Sequence, residues 1–368
     1  MLKPTFEASL QRSRSLLLDP DLLELVAAAE TPRASIARGA SGAALAAIEI
    51  YRVVGDPELL DVAERWLALG MRQQQQAPAH AFFGGPELHG VHNGPAGTAW
   101  VNAIIANVTQ DRTRRAEAIH ELQRCWRVLP PHQRHLSIMA GVAGYAEACN
   151  NALDELNELS ESERAVLLEI RDEACAELTA RLRNPPAVGD DLGLAVGHAG
   201  ALYALLGRDL PLTADLEARI IDHTRRMLDD GAPFWPQRVG DQRATSMRAT
   251  WCNGAVGHLQ LLLRAQRRLV DIPLAEALRS TVIAVATWGY SGSSLCCGRA
   301  GAVRVLQHYE RMSGDALSDI IDEILQAPCT PIERSSVCLS PFIGEPSAAL
   351  ALGSMLDGRF RLPVGFRL

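Results

Sequence analysis

The chain of 368 residues has no apolar run approaching the roughly 18 residues that cross a bilayer. Its first stretch, Met1 to Leu18, mixes charged and apolar side chains and lacks the continuous apolar core of a signal peptide. Nor is there a surplus of positive charge. Thirty-six Lys and Arg against 43 Asp and Glu leave a net charge of −7 and a pI near 5.8. That balance argues against a broad phosphate-binding surface, so nucleic acid is not an expected partner. Eight cysteines in a chain of this length, without a secretion signal, do not make a disulfide framework. They read as free thiols or metal ligands, and the compartment as cytoplasmic. No segment shows the strict alternation of a half-buried strand. Hydrophobic residues at 48% and charged residues at 21% allow a sizeable core and exclude disorder as the main state.

What is present is a repeat. A Gly-x-x-Gly pattern recurs at Gly39 and Gly42, Gly94 and Gly97, Gly141 and Gly144, Gly197 and Gly200, Gly254 and Gly257, and Gly298 and Gly301. A degraded seventh copy has Gly344 followed by Ser347. The repeats begin near residues 35, 90, 137, 193, 250, 294 and 340, and the second glycines lie 44 to 57 positions apart, room for one helical hairpin each. After each turn comes an apolar helical run (43–51, 98–108, 145–153, 201–206, 258–269, 302–309), as expected of a buried inner layer. Charge-rich amphipathic helices are expected between them, over 57–72, 112–129, 161–183, 214–230, 274–288 and 315–326. Asp56-Pro57 and Thr213 have the chemistry of helix starts. The expected fold is all-α, a single α/α toroid over 1–368 with about seven inner and seven outer helices. The glycines would gather at one end, with helix N-termini facing a central cavity. An open solenoid with ordinary turns is the alternative.

Three cysteines stand in register. Cys252 and Cys296 each precede the first glycine of their turn by two residues, and Cys297 follows directly. Equivalent positions of neighbouring repeats lie side by side in a toroid, so the three thiols converge. Three convergent thiols suit Zn²⁺, with a fourth position left for water or substrate. The alternative for each is a small buried hydrophobe, the reading that fits Cys125, Cys149, Cys175, Cys329 and Cys338.

The run Trp251-Cys252-Asn253-Gly254 and the pair Cys296-Cys297-Gly298, set within Gly-rich repeats from about Ser35 to about Leu352, resemble the lanthionine synthetase C-like family. The resemblance implies a zinc ion at the toroid mouth and a peptide cyclase that adds cysteine thiols to dehydroalanine or dehydrobutyrine. The substrate would be a dehydrated, cysteine-containing, ribosomally made precursor peptide, and a dehydratase, kinase or lyase of the same pathway would be a further partner. The usual ligand after the second cysteine is His; here it is Cys297, as in members with three cysteine ligands. Arg248 matches a position that is often Arg in the family's pocket and could stabilise charge developing on the substrate carbonyl.

The sequence departs from the family where proton transfer is concerned. Ser137 and Val196 occupy positions that usually carry Asp and His, and Asn253 stands where Tyr is usual. His92, in the same register as the zinc cysteines, and His198 are candidate general acids; His89 and His135 lie near the same turns. A catalytically degenerate toroid that binds a thiol peptide as scaffold for another enzyme is therefore a second reading. A toroid glycosidase ranks last, because Glu87, Asp190, Asp191 and Glu345 have no motif around them.

Overall fold

A computed structural model of the chain describes residues 2–29, 34–76, 90–129, 134–207, 210, 213–227, 237–240, 249–269, 274–287, 292–326, 336–356 and 361–366. These residues form helices with no sheet. In chain order they are α1 (Leu2–Leu17), α2 (Pro20–Ala27), α3 (Ala40–Val54), α4 (Pro57–Gln76), α5 (Pro95–Val108), α6 (Arg112–Val128), α7 (Val142–Glu155) and α8 (Glu161–Arg181). They continue with α9 (His198–Leu205), α10 (Ala214–Met227), α11 (Ala255–Arg268), α12 (Ala275–Thr287), α13 (Arg299–Ser313), α14 (Ser318–Gln326) and α15 (Glu345–Leu356). A short 3-10 turn at Ser336–Leu339 precedes α15. Among the described residues no helix is long and apolar enough to cross a membrane.

The helices that follow the Gly turns are buried nearly all round. Every residue of α3 from Ala40 to Ile50 is buried, as is all of α9. Each packs against a charged helix that covers it from outside: α3 with α4, α5 with α6, α7 with α8, α9 with α10, α11 with α12 and α13 with α14. Helix α15 is covered by α1, an N-terminal helix that the Gly repeat does not signal. Arg12 of α1 meets Glu345 at the start of α15 at 2.7 Å, with Ser9 on the same carboxylate. Neighbouring outer helices are tied by ion pairs, chiefly Arg114 to Glu64 and the buried Arg115 to Glu163. Asp56 caps α4 ahead of Pro57, and the Thr213 hydroxyl accepts from the Leu216 N–H, as those residues suggested.

The inner helices start three residues earlier than the apolar runs alone indicate. The first glycine of each pair is the extended N-cap residue, and the second lies inside the first turn. The second glycine is required by sterics. A Cβ there would stand 2.0–2.2 Å from the carbonyl oxygen six residues back: Ile36 for Gly42, Val91 for Gly97, Ile138 for Gly144, Leu194 for Gly200, Trp251 for Gly257 and Leu295 for Gly301. The loop therefore folds flat onto its own helix, and its outer edge is free to meet the next loop.

Those edges join around one end of the molecule. The Ala37 N–H donates to the His92 carbonyl (3.0 Å), Met139 to Ala195 (3.0 Å), Ala195 to Cys252 (2.9 Å), Trp251 to Cys296 (2.7 Å) and Cys296 to Phe342 (2.9 Å). The seventh loop returns to the first, because the Ser340 hydroxyl donates to the Ala37 carbonyl at 2.6 Å. Between the second and third loops the backbones touch at Gly90 and Ala140, where a Cβ on Gly90 would be 2.3 Å from the Ala140 Cα. Helix α15 also packs on α3. The repeats therefore come back on themselves, as in an α/α toroid and not an open solenoid.

Gly257→Val should destabilise the protein by about 3 kcal/mol or more, since its side chain has no space between the Trp251 carbonyl and the Leu194 Cβ at 2.8 Å. Gly292→Ala, with nothing within 4 Å of the added carbon, is the control and should stay within about 0.5 kcal/mol of wild type. Denaturant unfolding checks both; equal midpoints for the two variants would contradict this account of the turn.

Candidate metal centre

The site is built from two adjacent links of that rim. Cys252 lies in the loop before α11 and Cys296 and Cys297 in the loop before α13, and the Trp251-to-Cys296 hydrogen bond fixes one loop against the other. The Cys252 and Cys297 sulfurs are 3.9 Å apart and those of Cys296 and Cys297 3.3 Å apart. All three lie within 4.8 Å of one another and are half-buried. Sulfurs at the corners of a tetrahedron around zinc, with Zn–S near 2.3 Å, would be about 3.8 Å apart, a spacing that these separations bracket. Among the described residues this trio is the one group of His, Cys, Asp and Glu compact enough to hold a metal ion.

The local electrostatics favour a thiolate. Hydrogen bonds from Cys296 and then Cys297, helped by Thr250 and the Asn253 backbone, outweigh burial and draw the Cys252 thiol down to about 3. Cys296, which keeps its proton in the contacts with Cys252 and then Cys297, is pushed well up, with burial adding to the shift. A thiol whose ionised form is favoured, beside two more that can follow, is the donor chemistry a divalent soft-preferring cation meets.

The other cysteines are placed elsewhere. Burial pushes Cys125 and Cys175 up to about 12 and raises Cys149 as well, while Cys338 is buried beside the rim. Cys329 lies outside the described residues.

The remaining candidates are scattered around the rim and behind it. His92 sits in the second loop at the register position of Cys252 and Cys296, with no exposed surface, its ring edge-on to Phe342 at 4.7 Å. Burial drives it down to about 3, so it is a neutral imidazole at pH 7. His198 is the first residue of α9, with Nε2 3.8 Å from the Asp190 carboxylate. It borders a small crevice shared with Leu202, Asp222 and His223, between inner and outer helices. Arg248 and His89 lie outside the described residues. Ser137 is buried, its hydroxyl accepting from the Ala140 N–H, and Val196 is partly exposed. Asn253 turns toward the fourth loop, where only a glycine, Gly193, leaves room for its Oδ1. Of the acidic residues, Glu345 pairs with Arg12 and Asp191 with Arg238, and Glu87 lies outside the described residues.

One feature was not signalled by the repeat. The C-terminal segment 361–366 runs inside the ring of loops. Leu362, Val364 and Phe366 are buried, and the Phe366 ring stacks on Trp251 at 3.8 Å and 20°. Gln260 of α11 donates to the Gly365 carbonyl at 2.8 Å, and Gly365, at φ +83°, lies against Ile138 and Trp251. Phe366 also meets Phe342 at 5.1 Å. The segment so touches the third, fifth and seventh loops and packs beneath the residue next to Cys252. The alternation of Leu362, Val364 and Phe366 was the available signal.

With this fold and this trio in view, comparison with known proteins is informative. Residues 32–332 match the family described as lanthionine synthetase C-like protein, and the chain belongs to that family. No curated protein matches the chain.

Two outcomes follow from the burial pattern. A thiol-alkylating reagent applied to metal-free folded protein should modify Cys252, Cys296 or Cys297 at least tenfold faster than Cys125, Cys149 and Cys175, as read by peptide mass mapping. Uniform labelling would refute the arrangement. His92 takes up a proton in the unfolded chain near its ordinary 6.5 but not in the folded one until about 3. The unfolded state therefore binds more protons in that window, and stability must fall as pH drops from about 6.5 toward 3. His92→Leu should flatten that part of the stability–pH curve; an unchanged slope would show that the ring titrates normally.

Proposed function

We propose that the protein is a zinc-dependent peptide cyclase that joins cysteine thiols to dehydroalanine or dehydrobutyrine in a ribosomally made precursor, closing (methyl)lanthionine-type thioether rings. The observation that carries this reading is the convergence of Cys252, Cys296 and Cys297 at the rim of a ring of helices in a chain of this family. The reading takes the whole chain as one α/α toroid of about seven inner and seven outer helices, working in the cytoplasm.

Cys252, Cys296 and Cys297 would hold the zinc, leaving its fourth position to the substrate. Bound zinc lowers the pKa of a visiting thiol, so that a nucleophilic thiolate is present at neutral pH. Held by three cysteine thiolates, the ion would be a net negative centre that keeps the substrate sulfur nucleophilic. The rest of the chemistry falls to side chains. Arg248 is the candidate to stabilise negative charge on the substrate carbonyl after addition, as a fixed cationic donor array. His198 and His92 are the candidates to return the proton. Of the two, His198 stands beside a carboxylate able to support its protonated form, whereas His92 is neutral and enclosed. Trp251 and the segment beneath it would close the pocket floor and exclude water from the reacting thiol.

A second reading has a specific observation behind it. Ser137 is engaged in capping its own turn, and Val196 has no proton to give, so neither position offers acid–base chemistry. A toroid that binds a thiol peptide without turning it over, as scaffold for a dehydratase, kinase or lyase of the pathway, would need no more than the metal trio.

The two readings part on one experiment. A dehydrated, cysteine-containing peptide is incubated with the zinc-loaded protein, and free thiol is followed with and without chelator. The cyclase reading expects chelator-sensitive thiol loss with no change in peptide mass. Thiol that persists in the presence of metal-loaded protein and pathway enzymes selects the scaffold. Separately, Cys297→Ala should lower bound zinc well below one equivalent; a full equivalent would remove Cys297 from the ligand set.

A further inference from the structure

The inner face of the ring carries a buried cation that the cyclase reading leaves unused. Three residues beyond the second glycine, repeats three to six place Glu147, Tyr203, Gln260 and Arg304, each 9% exposed or less. Arg264 of α11 reaches Glu147 of α7 at 3.0 Å, passing over the Tyr203 ring of α9 at 4.0 Å. Because α9 stands between those two helices, the contact runs on the inside of the ring, and so does this layer of side chains. Gln260 is occupied by the Tyr203 hydroxyl (3.0 Å) and the Gly365 carbonyl.

Arg304 is the next in the series, on α13, and differs from the others. No described residue gives it a hydrogen bond or an ion pair, although it is nine-tenths buried. Desolvation lowers it only to about 10, so it remains a cation at neutral pH. One turn along, His308 is pushed down to about 4 by burial and by the Arg304, Arg267 and Arg311 charges, and so is neutral. An uncompensated guanidinium in the interior is an unfavourable state that an anion relieves.

We propose that Arg304 anchors an oxyanion-binding site inside the ring, which takes the carboxylate or phosphate group of a small ligand or of a bound peptide. The planar, fixed fork of the guanidinium matches two oxygens of such a group. The Tyr203 ring, two repeats back in the same layer, lies within electrostatic reach of Arg304, and the neutral His308 adds no charge of its own. The site is separate from the cysteine trio and does not depend on whether the protein is a cyclase.

Thermal unfolding of the full-length protein tests it, at constant ionic strength, in chloride against acetate and against inorganic phosphate, with and without chelator. Wild type should gain several degrees, saturably, with acetate or phosphate, and chelation should not abolish the gain. The anion that acts tells carboxylate from phosphate. Arg304→Met should lose the anion-specific gain and, in chloride, melt at or above wild type, because an uncompensated charge has been removed. Equal anion responses in both proteins, or no saturable response in wild type, would overturn the site. So would an Arg304→Met variant that melts far below wild type in chloride, which would show that the guanidinium has a structural partner. If Arg304→Met does not fold, calorimetric titration of wild type with acetate and phosphate decides, and the absence of saturable heat counts against the proposal.

Discussion

Everything in this structure depends on the loops at one end of the ring hydrogen-bonding to each other through their main chains. A helical hairpin in isolation leaves the backbone of its connecting turn exposed or unsatisfied. Here the turn of one repeat gives its N–H to the carbonyl of the next, except between the second and third, where Gly90 packs on Ala140, and the hydroxyl of Ser340 closes the circuit to Ala37. The constraint sets inter-helix spacing at the rim to that of adjacent backbones. Each second glycine lets its own loop lie flat for this, with the carbonyl oxygen six residues back about 2 Å from where a Cβ would be. The constraint also determines the metal centre. Two loops joined by one hydrogen bond place side chains at equal register next to each other, so Cys252 and Cys296 meet without any special folding of their own. Cys297 completes the group by being the next residue.

This explains which parts were legible in the sequence. The Gly-x-x-Gly period gave the hairpins and their register, and the register brought three distant cysteines to one place, because both follow from local sterics that a glycine reports directly. The outer helices followed from amphipathicity, and Asp56 and Thr213 marked starts correctly. The apolar runs misplaced the inner helix starts because the first turn contains the second glycine, which looks like part of a loop. Helices α1 and α2 went unseen since nothing in the repeat refers to them. Their partners are long-range: the Trp66 indole donates to the Leu17 carbonyl and the Gln73 amide to that of Val26. The inward course of Leu362 to Phe366 went unread as well, because its partners, Ile138, Trp251 and Phe342, come from three different repeats.

The interior is not the uniform apolar core that the inner helices suggest. Among the described residues two ionic contacts bridge inner helices of repeats that are not neighbours: Arg264 to Glu147, and Arg52 to Glu155 at 3.7 Å, with Glu49 sharing the same arginine at 3.0 Å. Each joins helices two repeats apart and so fixes the curvature of the ring from inside. Buried pairs of this kind add little net stability, since desolvation offsets most of the attraction, but removing one partner is costly. Their contribution is geometric. A helix ring held only by Ala and Leu contacts could slide or flatten; these charged contacts tie helices two repeats apart across its interior. The alanine-rich inner helices set the outer limit, because small residues let α3, α7 and α9 approach closely enough for the charged side chains to reach across.

The two chemically active places are then opposite in character for one physical reason. At the rim, three thiols share hydrogen bonds and stabilise negative charge, which calls for a cation. Further along α13, Arg304 holds positive charge with no hydrogen-bond or ion-pair partner among the described residues. The C-terminal segment touches both repeats' machinery through their neighbours: Phe366 stacks on Trp251, the residue before Cys252, and the Gly365 carbonyl accepts from Gln260, which precedes Arg304 in the inner layer of side chains. The same short segment thus packs the rim from inside and fixes one member of the polar layer.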